Sequence, residues 1–259
     1  MILGTSWLDW KLGGRMLVKY PGLSVIAVIT LAVAIALGAG WFEVTRHFID
    51  PRIPLPDGDR IVRIDNWDAG ESAVEPRSLY DFQLWREQLT SIQELGAYRS
   101  FERNLITPDG TAYPASVAEI SASAFPLTRV QPLLGRTLME SDAAPGATDV
   151  VVIGYDVWQQ RFNGDRGVIG RTVRLGRTPA TIVGVMPEGF GFPVSHQLWV
   201  PLRVSNAAPR TGPAIRSFGR LTDGANLESV QTELTTIGQR VATMNPTTHA
   251  RLRPLCGRP

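Results

Sequence analysis

Lysine is almost missing from this chain of 259 residues: it occurs at Lys11 and Lys19 and nowhere later. That excludes a glycine loop closed by Lys-Ser/Thr and a Schiff-base lysine from the main body of the protein. Cysteine is scarcer still. Cys256 stands alone, so there is no intrachain disulfide and no thiolate metal cluster. A single cysteine suits an oxidising compartment without establishing one. Histidine is confined to His47, His196 and His249, and the paired spacing of a metal site is absent. Ser72, Ser78 and Ser123 lack the Gly-x-Ser-x-Gly turn of a serine hydrolase. Glu140 and Asp142 fall in a polar stretch and read as solvated loop rather than a glycosidase pair. A formal net charge of +2 gives no argument for a nucleic-acid partner. No catalytic, cofactor-binding or metal-binding residue is nominated, and the expectation is a protein that is not an enzyme.

Against these absences stands one long apolar run. Leu23 to Phe42, "LSVIAVITLAVAIALGAGWF", carries no charge. At about 1.5 Å per residue it measures about 30 Å, the thickness of a bilayer's hydrocarbon core. Lys11, Arg15 and Lys19 precede it against Asp9, which places the N-terminus in the cytoplasm and the following chain outside. Trp7, Trp10 and Trp41 flank the run at headgroup level. The segment "WLDWKLGGRMLVKY" reads as a short interfacial helix, which Gly13 and Gly14 weaken. A cleavable signal peptide is the alternative: "ALGAG" offers small residues for a peptidase, although the apolar core is long for one and two Trp in the leader are unusual. The organisation read here is a cytoplasmic or interfacial segment over 1–20, a transmembrane helix over 21–48 and an extracytoplasmic domain over 51–259.

The remainder alternates strand and helix after a proline-rich connector, "DPRIPLPDGDR". Arg60 to Asp65 reads as a strand. Ser78 to Leu89 reads as a helix opened by a Ser78–Asp81 capping box. "IQELGAYR" and "NLITPDGTAYPASVAEIS" read as strands turned at Pro108-Asp109-Gly110. "DVVVIG" is a buried strand and "YDVWQQRF" a short helix. In "GRTVRLGRTPATIVGVMPEGFGFP" the predicted turn is Gly176 to Pro179, Thr181 to Val185 is a central strand, and Pro187 ends it. The glycines join strand to turn instead of opening a helix, so the stretch is a hairpin with an exit loop and no phosphate cradle. Phe190 and Phe192 either pack inward or face a partner, and packing is favoured. "QLWVPL" and "SFGRL" are strands. Leu227, Val230, Leu234, Ile237 and Val241 then mark a regular helix capped by Asn226, expected to pack on the same sheet as Arg60 to Asp65. Glu233 reads as a surface position on it. "RLRPLCGRP" begins a strand with nothing after it.

Seven blocks carry a resemblance in their order: "KYPGLSVIAVITLAVAIALGAG", "IPLPDGDRIVRI", "GRTLMESDA", "VVVIGYDVWQQRF", "IGRTVRLGRTPATIVGVMPEGFGFP", "LWVPL" and "FGRLTDGANLESVQTEL". The chain resembles the N-terminal part of the MacB/FtsX-type ABC transporter permeases, closest to the duplicated orphan permeases. The resemblance implies an α+β (mixed α/β) extracytoplasmic domain, split over about 57–115 and 215–255, with a small α/β insertion over about 116–214. It implies an inner-membrane component that does not hydrolyse ATP. A separate cytoplasmic ABC ATPase would do so, and the periplasmic domain would carry the resulting movement to an extracytoplasmic substrate or partner. Membrane lipid and, in a full-length permease, further copies of the chain are the other expected partners. Such permeases continue into further membrane helices and a cytoplasmic ATPase-contacting loop, so the chain resembles a truncated permease. A membrane-anchored periplasmic binding or adaptor module without an ATPase is the alternative.

An uncleaved anchor makes the first prediction. Intact-mass measurement of membrane-extracted protein should find the chain beginning at its own N-terminus; a mature chain beginning near Gly40 or Trp41 would sink the expectation.

Overall fold

A computed structural model describes residues 21–22, 25–26, 28–36, 55–203 and 208–258. The chain divides into two compact units, Met1–Arg52 and Ile53–Pro259. In the first, residues 28–36 are helical, and Val28, Ile29, Leu31, Val33 and Ile35 are exposed. Among the described residues no helix is long and apolar enough to cross a membrane. The interfacial segment, both ends of the apolar run and His47 lie outside the described residues.

The second unit is mixed α/β. Among its described residues the strands are β1 (Ile61–Asp68), β2 (Ala73–Glu75), β3 (Ile92–Ile106), β4 (Ala112–Ile120), β5 (Leu134–Gly135), β6 (Val150–Ile153), β7 (Thr172–Leu175), β8 (Thr178–Val185), β9 (Leu198–Pro201), β10 (Arg216–Leu221) and β11 (Leu252–Gly257). Its helices are α1 (Leu79–Gln88), α2 (Ala124–Thr128), α3 (Tyr155–Phe162), α4 (Leu227–Met244) and α5 (Pro246–His249). The strand order is β11-β1-β10-β3-β4-β9-β6-β8-β5, with β2 on β1.

β3 joins two halves. The two strands read at "IQELGAYR" and "NLI" are one continuous fifteen-residue strand. Ile92 to Tyr98 pairs with β10, and Tyr98 to Ile106 pairs with β4. Leu105 and Ile106 also meet β7. β7 pairs with β8 in turn, so hydrogen bonding returns on itself around β3, β4, β9, β6, β8 and β7. This ring surrounds a core of Leu105, Val117, Val151, Ile153, Val173, Ile182 and Leu198, which Trp158 and Phe162 of α3 complete. Period-2 alternation on the strands and the four-residue step from Trp158 to Phe162 supply those faces.

In the other half, α1 and α4 cover the face of β1 and β3 that carries Val62, Ile64, Leu95 and Ala97. Val230, Leu234, Ile237 and Val241 of α4 are buried in that same core, as their spacing requires. Asn226 caps α4 by accepting from Ser229 N at 2.9 Å. β11 pairs antiparallel with β1, and Gln231 of α4 bonds it at both ends of its amide: Nε2 donates to Pro254 O and Oε1 accepts from Cys256 N. Gly238 sits in mid-helix because Pro254 passes beneath it, where a Cβ would come within 2.8 Å of the ring.

Three local expectations need correction. Ser78 precedes α1 but makes no side-chain capping bond, and Asp81 is buried. Asp81 accepts instead from His249 Nε2 at 3.1 Å, so a tertiary partner takes the carboxylate that a capping box would use. The hairpin turn is the two residues Gly176 and Arg177, with Pro179 already in β8 opposite Arg174. Pairing with β6 begins only at Thr181, so the missing proline N–H leaves no ladder bond broken there. Glu233 is no idle surface residue. It accepts from Thr90 N and Oγ1 and from Ser91 N and Oγ at 2.6–3.2 Å. Burial alone would raise its pKa, but those bonds outweigh burial and hold the carboxyl below its usual range.

These contacts set two expected outcomes in thermal melts of the segment from Pro51. Leu234→Asp should lose about 3 kcal/mol or more, because it buries an unpaired carboxylate or expels α4. Glu233→Gln should lose about 1–2 kcal/mol, since an amide cannot accept from all four donors. A Leu234→Asp protein that melts like the parent would place the apolar stripe outside the core.

Candidate functional site

The exit loop after β8 builds a cavity of about 520 Å³. Met186 follows β8, and Pro187 to Gln197 run from it to β9. The opposite wall is Leu55, Val130 and residues 154–157. Gly154 opens α3 directly after β6, and offers no side-chain cap. The sequence reading gave this strand and this helix but did not weigh the glycine between them. The junction has a single glycine and no lysine, so it is no phosphate loop either.

Both phenylalanines of the loop pack inward. Phe192 is buried and meets Phe218 edge-on at 4.8 Å between centroids. Phe190 is half-buried, lies parallel to Phe125 at 6.4 Å and touches Trp199 at 5.2 Å. Trp199 Nε1 donates to Phe192 O at 2.7 Å, which fastens the loop to β9. Glycine is needed where this hairpin meets β5: a Cβ on Gly184 would lie 2.0 Å from Arg136 O. The cavity therefore has a rigid aromatic floor. Val194 is exposed at its edge, and its charged lining residues are Asp156 and Glu188.

His196, read as a loop residue, is buried in this wall. Its Nε2 shares a 2.7 Å hydrogen bond with Ser100 Oγ on β3, and Tyr98 lies edge-on to its ring. Nδ1 has no protein partner. Burial pushes the imidazole below its ordinary pKa, against a weaker opposing pull from Glu102. A serine–histidine contact needs a third group orienting the histidine before it becomes a nucleophilic device; here that position is empty of protein groups.

The other polar residues considered in the sequence do not converge. His249 is buried between Thr248 Oγ1 and Asp81 Oδ1. Ser123 Oγ donates to Leu95 O. Asp142 accepts a bidentate Arg136 fork, Nη1 at 2.6 Å and Nη2 at 2.8 Å, which holds its carboxyl below the usual range. Glu140 pairs with Arg86. Among the described residues no group of three or more His, Cys, Asp or Glu is arranged to hold a metal. Burial pushes the Cys256 thiol up to about 11, which leaves it unreactive at neutral pH.

A second polar cluster lies at the β1–β2 edge. Glu75 accepts from Arg77 and from Arg210, and Asp68 pairs with Arg210 at 2.9 Å. The two guanidinium groups, Arg77 foremost, hold the Glu75 carboxyl down to about 2. The cluster fastens the β9–β10 connection to the sheet and leaves no unpaired charge for chemistry.

Fold and site thus present a mixed α/β scaffold with a groove. The family model described as "MacB-like periplasmic core domain" matches residues 22–237. The chain belongs to that family. Among solved structures it is similar to the periplasmic region of MacB from Actinobacillus actinomycetemcomitans, at 18% identity and TM-score 0.57, over 77% of this chain and 88% of that one. A domain of a putative permease protein from Porphyromonas gingivalis matches at 16% and 0.57, over 79% and 91%. The extracellular domain of the noncanonic ABC-type transporter YknZ from Gram-positive bacteria matches at 11% and 0.53, over 76% and 98%. At these identities the structures establish a common fold. Comparison with curated proteins gives no match.

The buried histidine gives a pH prediction. Its folded pKa lies below the unfolded 6.5, so the unfolded state takes up the proton first. Its contribution to stability is complete above 6.5 and is lost progressively as pH falls from there towards the folded pKa. His196→Gln should flatten the stability–pH slope in that window, measured by urea melts; an unchanged slope would show that the imidazole does not titrate differently on folding.

Proposed function

We propose that the chain is the non-catalytic, permease-type part of an ABC transporter, and that its periplasmic domain passes ATP-driven movement from a separate cytoplasmic ATPase to an extracytoplasmic substrate or partner. The observation that carries this reading is the extent of the family match: it begins at residue 22, immediately before the apolar run, and ends at residue 237, inside α4. One family thus spans a membrane-type segment and the whole ring of strands. The apolar run is then a single span with its N-terminus in the cytoplasm. In this reading 57–115 and 215–255 form the split subdomain and 116–214 its insertion. The chain has no catalytic role of its own, and lipid and further copies of the permease surround it.

The absence of lysine after Lys19 supports a separate ATPase, since this chain cannot supply a phosphate-loop lysine outside its first twenty residues. The test is isolation of the protein from its native membrane in mild detergent. An ABC-type ATPase should co-isolate, and vanadate-sensitive ATP turnover should accompany the complex and vanish from the purified chain. If no ATPase co-isolates and no such turnover is found, the adaptor reading replaces this one.

A further inference from the structure

Arg220 has 1% of its surface exposed, at the centre of the sheet, and no salt bridge holds it among the described residues. Burial lowers its pKa, with Arg129 and Arg60 nearby adding to the effect. A buried charge of this kind survives only when its donors are placed on acceptors. Here Nε donates to Leu127 O at 2.8 Å, Nη1 to Asp57 O at 3.0 Å and Nη2 to Pro56 O at 2.9 Å. An apolar side chain would fill the same volume without the desolvation cost. What the guanidinium adds is direction: one planar fork ties β10 to the end of α2 and to residues 56 and 57.

Those two residues belong to the segment that follows the apolar run. Asp57 has φ +51°, a left-handed conformation that aspartate tolerates better than most residues with a Cβ and that its hydrogen bonds hold here. Its carbonyl accepts from Arg60 N as well as Arg220, and its carboxylate pairs with Arg129. Arg60 in turn reaches Leu221 O and Asp223. The entry of the chain into the sheet unit is therefore gripped on every side, unlike a flexible linker, which passes no displacement on.

We propose that Arg220 and the Asp57 turn form the joint through which displacement of the segment after the apolar run reaches the sheet. The proposal rests on the transmission reading above. Force arriving along the chain at residue 56 meets β10, which pairs with both β1 and β3, and so enters both halves of the fold.

Hydrogen exchange on the full chain in detergent micelles tests it. Gly58 N and Arg60 N donate to Leu55 O and Asp57 O. In the parent these two amides should exchange within about tenfold of the β10 amides. Exchange at free-peptide rates would overturn the joint, whether or not any variant folds. In Arg220→Lys one ammonium cannot reach three carbonyls, and the two amides should exchange at least about tenfold faster while β3–β4 amides keep their rates. Unchanged rates at Gly58 and Arg60, or an equal rise throughout β3–β4, would each overturn it. Arg129→Ala should change the two rates by less than about twofold; an effect as large as that of Arg220→Lys would put the joint in the surface ion pair instead. No readout involves an ATPase, so the joint can fail while the transporter reading stands, and the reverse.

Discussion

The double pairing of β3 is the constraint on which the rest of the fold depends. One strand serves β10 with its first seven residues and β4 with the remainder, so neither half of the sheet can form without fixing the direction of the other. The middle core sits at this junction. Tyr98 at the changeover, Ile120 opposite it, Phe125, Trp199 and Phe218 pack there between the helix-covered half and the closed ring. Gly96 lets the Phe218 ring lie against β3, where a Cβ would come within 2.9 Å of it. Displacing β3 would disturb three cores at once.

Arginine does the polar fastening throughout. Arg136 holds the loop around Asp142, Arg210 holds the β9–β10 connection, and Arg220 holds the entry of the chain. In each case a planar fork engages two or more acceptors, a geometry that an ammonium cannot reproduce. The chain that lacks lysine after residue 19 is thus one whose internal ties use the property peculiar to arginine. Two of these ties are ion pairs with well-placed carboxylates, and the third satisfies carbonyls only.

The groove follows from the same economy of rigid parts. Its floor is aromatic and interlocked, its loop is pinned by Trp199, and its wall contains a neutral, buried histidine. That is a surface built to keep its shape.

Much of this was legible beforehand. The stripe from Leu227 to Val241, the hairpin within the glycine-rich stretch Gly170–Pro193, the stop at Pro187 and the buried run Val150–Ile153 all follow from local periodicity and from residues that forbid alternatives. Periodicity also implied that α4 is buried, and the chain had one sheet to offer it. The sequence could not show that Asp81 would find His249, that Glu233 would take four hydrogen bonds, that β7 would close a ring on β3, or that Arg220 would lie beneath Asp57. Each of those joins residues tens to more than a hundred and sixty positions apart, and local spacing carries no information about such pairs. The sequence by itself determined which faces are apolar and which stretches are strand or helix, because those are properties of neighbouring residues. Only the tertiary structure decided which polar group answers which, because a buried donor is satisfied by whatever acceptor the fold brings to it.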